Sequence, residues 1–293
     1  MGRKICYCCT KAEDHRVKVA LTGANGFVGR HVLAELVGRD VEVVATTRSD
    51  SAQNNLEGGT VRWVELDIAT PPVDCFAALG EPDMLIHLAW GGLPNYQSLH
   101  HFETELPAQY RFLAGLVREG LVSMVTVGTC FEYGFQSGPL AADMETRPAN
   151  PYGFAKDMLR RQLQFLQAGH RFNLSWARLF YMYGEGQAET SLLPMIKKAV
   201  ASGQTVFKMS GGEQLRDYLP VSEVARRIVD LALEPQNTGP LNICSGVPIS
   251  VRRLVEGWVK DNGWKITLEP GHYPYPDYEP MAFWGYPDDH KNQ

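Results

Sequence analysis

Tyr152 and Lys156 stand four residues apart in Tyr-Gly-Phe-Ala-Lys, so on a helix their side chains share one face. A phenol titrates at about pH 10 when unperturbed, and a neighbouring ammonium stabilises the phenolate and lowers that value. Such a pair is suited to moving a proton to or from a substrate oxygen near neutral pH. Upstream, a short β-type run ends in Val127-Gly128-Thr129 and would set a hydroxyl at a strand's carboxyl end.

A second constellation reads Thr22-Gly23-Ala24-Asn25-Gly26-Phe27-Val28-Gly29. It follows the first predicted strand directly and opens a helix, the context in which T-G-x-x-G-x-x-G cradles a dinucleotide. Gly23 permits the tight turn, Gly26 lets a pyrophosphate approach the backbone, and Gly29 lets the helix pack close to the strand. Gly23, Asn25, Gly26, Phe27, Val28 and Gly29 are thus the expected phosphate-binding turn, its N–H groups aimed by the helix start. At the end of the second strand an NAD-binding chain usually carries Asp or Glu toward the adenosine ribose. Here the residues are Ala45-Thr46-Thr47-Arg48-Ser49, with no carboxylate, and Arg48 is placed to pair with a 2′-phosphate. The expected cofactor is NADP, with NAD possible.

Other chemistries are disfavoured. Cys6, Cys8 and Cys9 form a C-x-C-C cluster, but a second ligand pair at zinc-site spacing is missing, and His15 does not supply one. No metal is expected. Cys75, Cys130 and Cys244 are scattered, as in a reducing compartment. With 28 basic residues against 33 acidic and a net charge of −5, the chain has no basic excess for a nucleic-acid backbone. No apolar run approaches the ~18–20 residues of a membrane span, and the N-terminus lacks a signal peptide's apolar stretch. The expectation is a cytoplasmic protein without nucleic-acid or membrane partners.

The elements that must position these groups follow from rhythm. Strand-type runs at 17–22, 41–46, 61–66, 84–88, 123–127 and 174–179, several of them nearly continuously apolar, alternate with helical stretches such as 27–38 and 102–118. Strands buried on both faces and separated by helices predict a parallel sheet with helical crossovers. The fold class is therefore α/β: a Rossmann-like, doubly wound parallel sheet with a smaller C-terminal substrate-binding cap. Residues 1–16 are expected to be a disordered leader and 17–183 the NAD(P)-binding domain. Residues 184–293 would be mostly cap, with segments returning to that domain.

The glycine turn, Thr129 ahead of a Tyr133-Gly134 step, and Y-x-x-x-K together resemble the extended short-chain dehydrogenase/reductase family. The likeness runs from about residue 17 to 249. Arg178-Leu-Phe-Tyr-Met-Tyr-Gly184 is similar to the family's R-x-x-N-V-Y-G. Arg216-Asp217-Tyr218-Leu-Pro-Val221 is similar to its R-D-[FY]-x-x-V, and Asn242-Ile-Cys-Ser-Gly246 to its N-[IV]-G-S-G turn. The resemblance implies Thr129, Tyr152 and Lys156 as catalytic triad. It implies Asp67 and Ile68 beside the adenine, and Leu88, Ala89, Trp90, Val127 and Phe180 along the cofactor. Arg216 would hold the diphosphate of a nucleotide sugar, with Ser191, Leu192 and Phe207 near the nucleotide. Trp90, Cys130 and Tyr181 would complete the substrate site, Tyr181 standing where relatives carry Asn. A homodimer through the helix of Tyr152–Lys156 and the one before it is also implied.

Sub-classes of this family differ after the catalytic Thr. Dehydratases carry Asp-Glu there, whereas this chain has Cys130-Phe131, with Glu132 one place later. Arg48 and the missing carboxylate favour exchangeable NADPH and net reduction. The segment Gly-Thr-Cys-Phe-Glu-Tyr-Gly resembles reductases that make 6-deoxyhexose nucleotides. The expected activity is reduction at C4 of a dTDP-, GDP- or CDP-linked 4-keto-6-deoxyhexose, or the reverse oxidation. The alternatives are a nucleotide-sugar 4-epimerase with tightly bound NAD and a non-catalytic NADP-binding module.

Overall fold

The computed structural model describes residues 16–48, 61–234, 238–275, 277 and 279–287. The Cys6–Cys9 cluster lies outside the described residues. In chain order the first half comprises β1 (Lys18–Thr22), α1 (Phe27–Val37), β2 (Glu42–Thr47), β3 (Val61–Glu65), α2 (Cys75–Ala78), β4 (Met84–His87), α3 (Leu106–Glu119) and β5 (Ser123–Thr129). The second half comprises β6 (Gly138–Leu140), α4 (Pro151–Gln167), β7 (Asn173–Leu179), β8 (Tyr181–Tyr183), α5 (Leu192–Ala201), β9 (Val206–Lys208), β10 (Leu215–Pro220), α6 (Val221–Leu233), β11 (Gly239–Ile243), β12 (Pro248–Ser250), α7 (Val251–Asp261), β13 (Thr267–Glu269) and β14 (Phe283–Gly285). A single π-helical turn, His101–Glu105, leads into α3, and a 3₁₀ turn, Cys130–Tyr133, follows β5.

Seven strands form one parallel sheet in the order β11-β7-β5-β4-β1-β2-β3. Alternate residues of each strand feed different cores. Ala20, Val44, Leu85, Met124 and Leu174 pack under α3 and α4, whereas Val19, Leu21, Val43, Ile86 and Val125 pack under α1 and α6. Both faces are thereby dry, which is why apolar residues of these strands fall on both sides of the sheet. The order reverses at β1, flanked by β2 and β4, and opens a crevice at the carboxyl ends where such sheets bind ligands. Strand β11 joins the far edge of this sheet, and α6 covers one of its faces.

A third, smaller core gathers Leu193 and Ile196 of α5, Phe207 of β9, and Leu254, Val255 and Trp258 of α7. The three-stranded sheet β12-β10-β8 runs beside it, with β9 paired to β13. Strand β14 of the aromatic tail pairs in parallel with β6. No helix among the described residues is long and apolar enough to cross a membrane.

Candidate active site

Gly23 turns with φ +74°, and a Cβ there would sit 2.8 Å from the Ala89 nitrogen and 2.9 Å from the Leu88 carbonyl carbon. Only glycine lets the turn after β1 lie against the end of β4. At Gly29 a Cβ would lie 1.9 Å from the Gly23 oxygen, so α1 starts directly on the turn. Gly26 is the N-cap of α1 and no side chain caps it, which leaves the helix start open to an anion.

Beside this turn lies a cavity of ≈ 490 Å³. Of the residues singled out in the sequence, Gly23, Asn25, Gly26, Arg48, Asp67, Ile68, Leu88, Ala89 and Trp90 line it. Asn25 donates to Thr47 Oγ1 at 3.2 Å, and Arg48 stands exposed at the end of β2. Asp67 accepts the Ala69 N–H through Oδ1 at 3.0 Å, which shapes the loop that closes the adenine end of the expected site. The backbone thus fits a dinucleotide: a cradle that a Cβ would fill, an uncapped helix start, and a cavity that runs from the glycine turn to Arg48, Asp67 and Trp90. Phe27 and Val28 begin α1 outside the cavity lining, Val28 packing against the adjoining core.

Sequence spacing did not show Glu105 and Gln109, which also line the cavity. They end a buried polar chain. The Thr22 hydroxyl donates to His87 Nδ1 at 2.9 Å, and His87 Nε2 donates to Gln109 Oε1 at 2.7 Å. Gln109 then donates to Glu105 at 3.0 Å. Burial, with the Lys156 charge nearby, holds His87 down at about 3, so it is a neutral structural link rather than a base. Burial favours a protonated Glu105, yet bonds from Gln109, the Gly91 N–H and His100 hold it below its ordinary value.

Tyr152, Lys156 and Thr129 meet on the other side of Trp90. Helix α4 is started by Asn150, whose Oδ1 accepts the Gly153 N–H at 2.8 Å, with Pro151 in the first turn. Gly153 lets α4 approach the 3₁₀ turn, since a Cβ there would lie 2.5 Å from the Phe131 oxygen. That approach brings Tyr152 beside Thr129, close enough for the Thr129 side chain to favour a charged phenolate. Trp90, Tyr96, His101 and Phe131 surround the Tyr152 ring, with centroids 5.2–6.4 Å away. Lys156 Nζ donates to the Val127 carbonyl at 3.0 Å and lies 4.0 Å from the centre of the Trp90 ring. Trp90 is held in turn by His101, whose Nδ1 accepts its indole N–H at 3.1 Å.

The electrostatics correct one expectation. The Tyr152 phenol is pushed above its ordinary value rather than lowered, because burial, with Tyr96 and Glu132 nearby, outweighs the favourable influence of Thr129. Burial also lowers the Lys156 ammonium to about 7, against the pull of Glu132 and Glu105. Lys156 reaches the Val127 carbonyl and the Trp90 face, and its Nζ lies 6.0 Å from the Tyr152 ring centre. The buried phenol is protonated, the state that gives up a proton.

Glu132 is excluded as an acid or base. It is wholly buried, accepts the Thr129 N–H at 2.9 Å and the Trp176 indole N–H at 3.0 Å, and pairs with Arg178 at 2.7 Å. A Cβ on Gly128 would lie 2.2 Å from both Glu132 and Trp176, so that glycine makes room for the pair. Glu132→Gln should therefore cost about 3 kcal/mol or more in denaturant unfolding, because Arg178 is left buried without its counter-charge. Cys130 is a buried thiol pushed up to about 12 by burial, hence inert at neutral pH.

The remaining residues fall apart from the cavity. Phe180 packs with Cys130, Tyr133 and Phe283. Phe207 belongs to the core of the cap, Leu192 packs against it, and Ser191 precedes α5. Arg216 is buried beside Tyr181 and pairs with Glu279, a residue of the tail that no sequence pattern singled out. Among the described residues no cluster of His, Cys, Asp and Glu could hold a metal ion.

A dinucleotide cradle and a protonated phenol, separated by one indole ring, are what hydride transfer to a carbonyl requires. The chain belongs to the NAD dependent epimerase/dehydratase family, which matches residues 19–244. It is an NAD(P)-dependent oxidoreductase. It is 28% identical to dTDP-6-deoxy-L-talose 4-dehydrogenase (NAD(+)) of Aggregatibacter actinomycetemcomitans, over 92% of this chain and 99% of that protein. It is 27% identical to UDP-glucose 4-epimerase of Azospirillum brasilense, over 85% of this chain and 78% of that one. Among solved structures, MoeE5 in complex with UDP-glucuronic acid and NAD superposes with a TM-score of 0.78 at 26% identity, covering 93% of this chain and 90% of that one.

Proposed function

We propose that the protein is an NADP-dependent reductase/dehydrogenase acting at C4 of a nucleotide-activated 4-keto-6-deoxyhexose. The convergence of Thr129, a protonated Tyr152 and Lys156 beside the cavity carries this reading. When bound, the nicotinamide cofactor supplies or accepts the hydride. Tyr152 donates its proton to the sugar oxygen, Thr129 orients that oxygen by a hydrogen bond, and Lys156 binds cofactor hydroxyls. Arg216 receives the substrate diphosphate. Similarity to the talose 4-dehydrogenase supports the substrate class. The test is oxidation of NADPH with a panel of dTDP-, GDP- and CDP-4-keto-6-deoxyhexoses. Turnover with none of them would overturn the assignment.

A second reading, a 4-epimerase that retains NAD, is favoured by the similarity to the Azospirillum brasilense enzyme. Arg48 at the cavity rim, and the absence of a carboxylate in the Ala45–Ser49 run, argue for the exchangeable phosphorylated cofactor. NADPH should bind more tightly than NADH, and Arg48→Ala should narrow the gap by roughly tenfold, one charge-assisted contact. Equal affinities in the wild type would contradict the preference.

The assembly we propose is a homodimer, in the cytoplasm where its cofactor is reduced. Phe165 and Phe154 of α4 are 81% and 42% exposed, and Phe102 lies edge-on to Phe154. Covering them on a second copy removes apolar surface from water. Light scattering at micromolar concentration should give twice the chain mass; a monomer mass would refute it.

A further inference from the structure

Arg216 of β10 is 2% exposed, and its guanidinium lies 4.4 Å over the Phe283 ring. Its Nη1 donates to the carbonyls of Leu215 and Met281 at 2.9 and 3.1 Å, and its Nη2 to Glu279 Oε1 at 2.8 Å. The Tyr181 hydroxyl donates to the other oxygen of Glu279. The two charges are held unequally. Arg216 is fixed by a strand, two carbonyls and an aromatic face. Glu279 comes from the tail, is 10% exposed, and has Arg216 and Tyr181 as its partners. The pair lies near Cys130, next to Thr129 in the chain, and acts electrostatically on its thiol.

We propose that Glu279 is a resident anion on Arg216 which a diphosphate must displace, so that this tail carboxylate sets substrate affinity. The inference rests on Arg216 being the diphosphate ligand. With 2% of its surface exposed, Arg216 cannot meet any ligand while Glu279 covers it. Uncovering a buried guanidinium without a replacement charge is strongly unfavourable. A diphosphate brings the replacement with it, so the exchange is close to balanced, whereas a neutral sugar brings none. The Tyr181 hydroxyl is a handle for the released carboxylate or for the incoming phosphate. A phenol at this position is long enough to reach the tail.

The test is calorimetric titration of the full chain with uridine and thymidine diphosphates. Glu279→Gln keeps an oxygen for Tyr181 but presents no charge to Arg216. By relieving the competition it should tighten binding about tenfold, the fraction of wild type open to ligand rising accordingly. Arg216→Gln should weaken binding in both backgrounds. Unchanged or weaker binding by Glu279→Gln, with Arg216→Gln still harmful, would overturn the exchange and leave the proposed reaction standing. Binding indifferent to Arg216→Gln in a folded variant would remove the Arg216 assignment itself, and the exchange with it. A second measurement needs no variant: hydrogen exchange of residues 279–287 in the wild type should quicken on nucleoside diphosphate binding. Unchanged or slower exchange would contradict displacement.

Discussion

Tyr152→Phe should lower turnover by about 10²–10⁴-fold, the usual contribution of a positioned general acid. The phenol is buried beside Thr129, and Phe removes one hydroxyl while keeping the ring. The aromatic contacts with Trp90, Tyr96, His101 and Phe131 survive the change, so the fold should hold. Cofactor affinity should stay within about threefold, since no charge is lost. A steady-state assay with a true substrate, alongside cofactor titration, reads both quantities. Near-full turnover would remove Tyr152 from the proton-transfer role. Cys130 and Glu132 could not replace it, being respectively an inert thiol and a carboxylate committed to Arg178.

Lys156→Met should abolish a proton uptake that the wild type shows on binding cofactor. The ammonium titrates at about 7 in the free protein because burial disfavours its charge. Ligand oxygens that hydrogen-bond it favour the charged form, so above pH 7 binding draws a proton from solvent. At pH 8 the uptake should be roughly one proton per site, and it should fade toward pH 6. Calorimetry in buffers of different ionisation enthalpy measures it directly. The same substitution should weaken cofactor binding by roughly 10- to 100-fold, as expected for a lost charged hydrogen bond. Stability should move the other way. A lysine lowered in the folded state costs stability below its unfolded value, so wild-type stability should rise from about pH 7 toward the ordinary lysine range of about 10.4. The Met variant should lack that rise. No pH-dependent uptake in the wild type would show that Lys156 carries no ligand contact.

These two residues were legible because helical spacing alone puts Tyr152 and Lys156 on one face. The glycine turn was legible for a similar reason: three glycines between a buried strand and a helix admit few other structures. Strands 1, 2, 4 and 5 were marked by burial on both faces, which leaves a continuous apolar run. What joins distant segments was not legible. The buried chain Thr22–His87–Gln109–Glu105 links one strand, its sheet neighbour and a helix, and its members look ordinary in isolation. The position of Lys156 beneath Trp90 depends on His101, which sequence spacing placed just outside the helix and gave no role. Phe207 offers the same lesson from the other side. A family position suggested nucleotide contact, whereas packing with Ile196, Leu254 and Trp258 puts it in the cap's core. The parallel pairing of β9 with β13, and of β14 with β6, joins segments 61 and 145 positions apart that no local pattern connects. Glu279 entered view only because that closure sets the tail against Arg216. The Tyr152 phenol marks a further boundary: adjacency to a lysine suggested a lowered value, but the degree of burial decides the sign, and burial is a property of the fold.

Net hydride transfer to C4 of the sugar leaves an isotopic trace on the product. NADPH deuterated at the transferable C4 position of the nicotinamide is incubated with the protein and a dTDP-4-keto-6-deoxyhexose, and the sugar product is read by NMR. Deuterium should appear on C4 of the product, with one NADP formed for each sugar reduced. A C4-epimerised sugar without deuterium, with the cofactor recovered unconsumed, would contradict it.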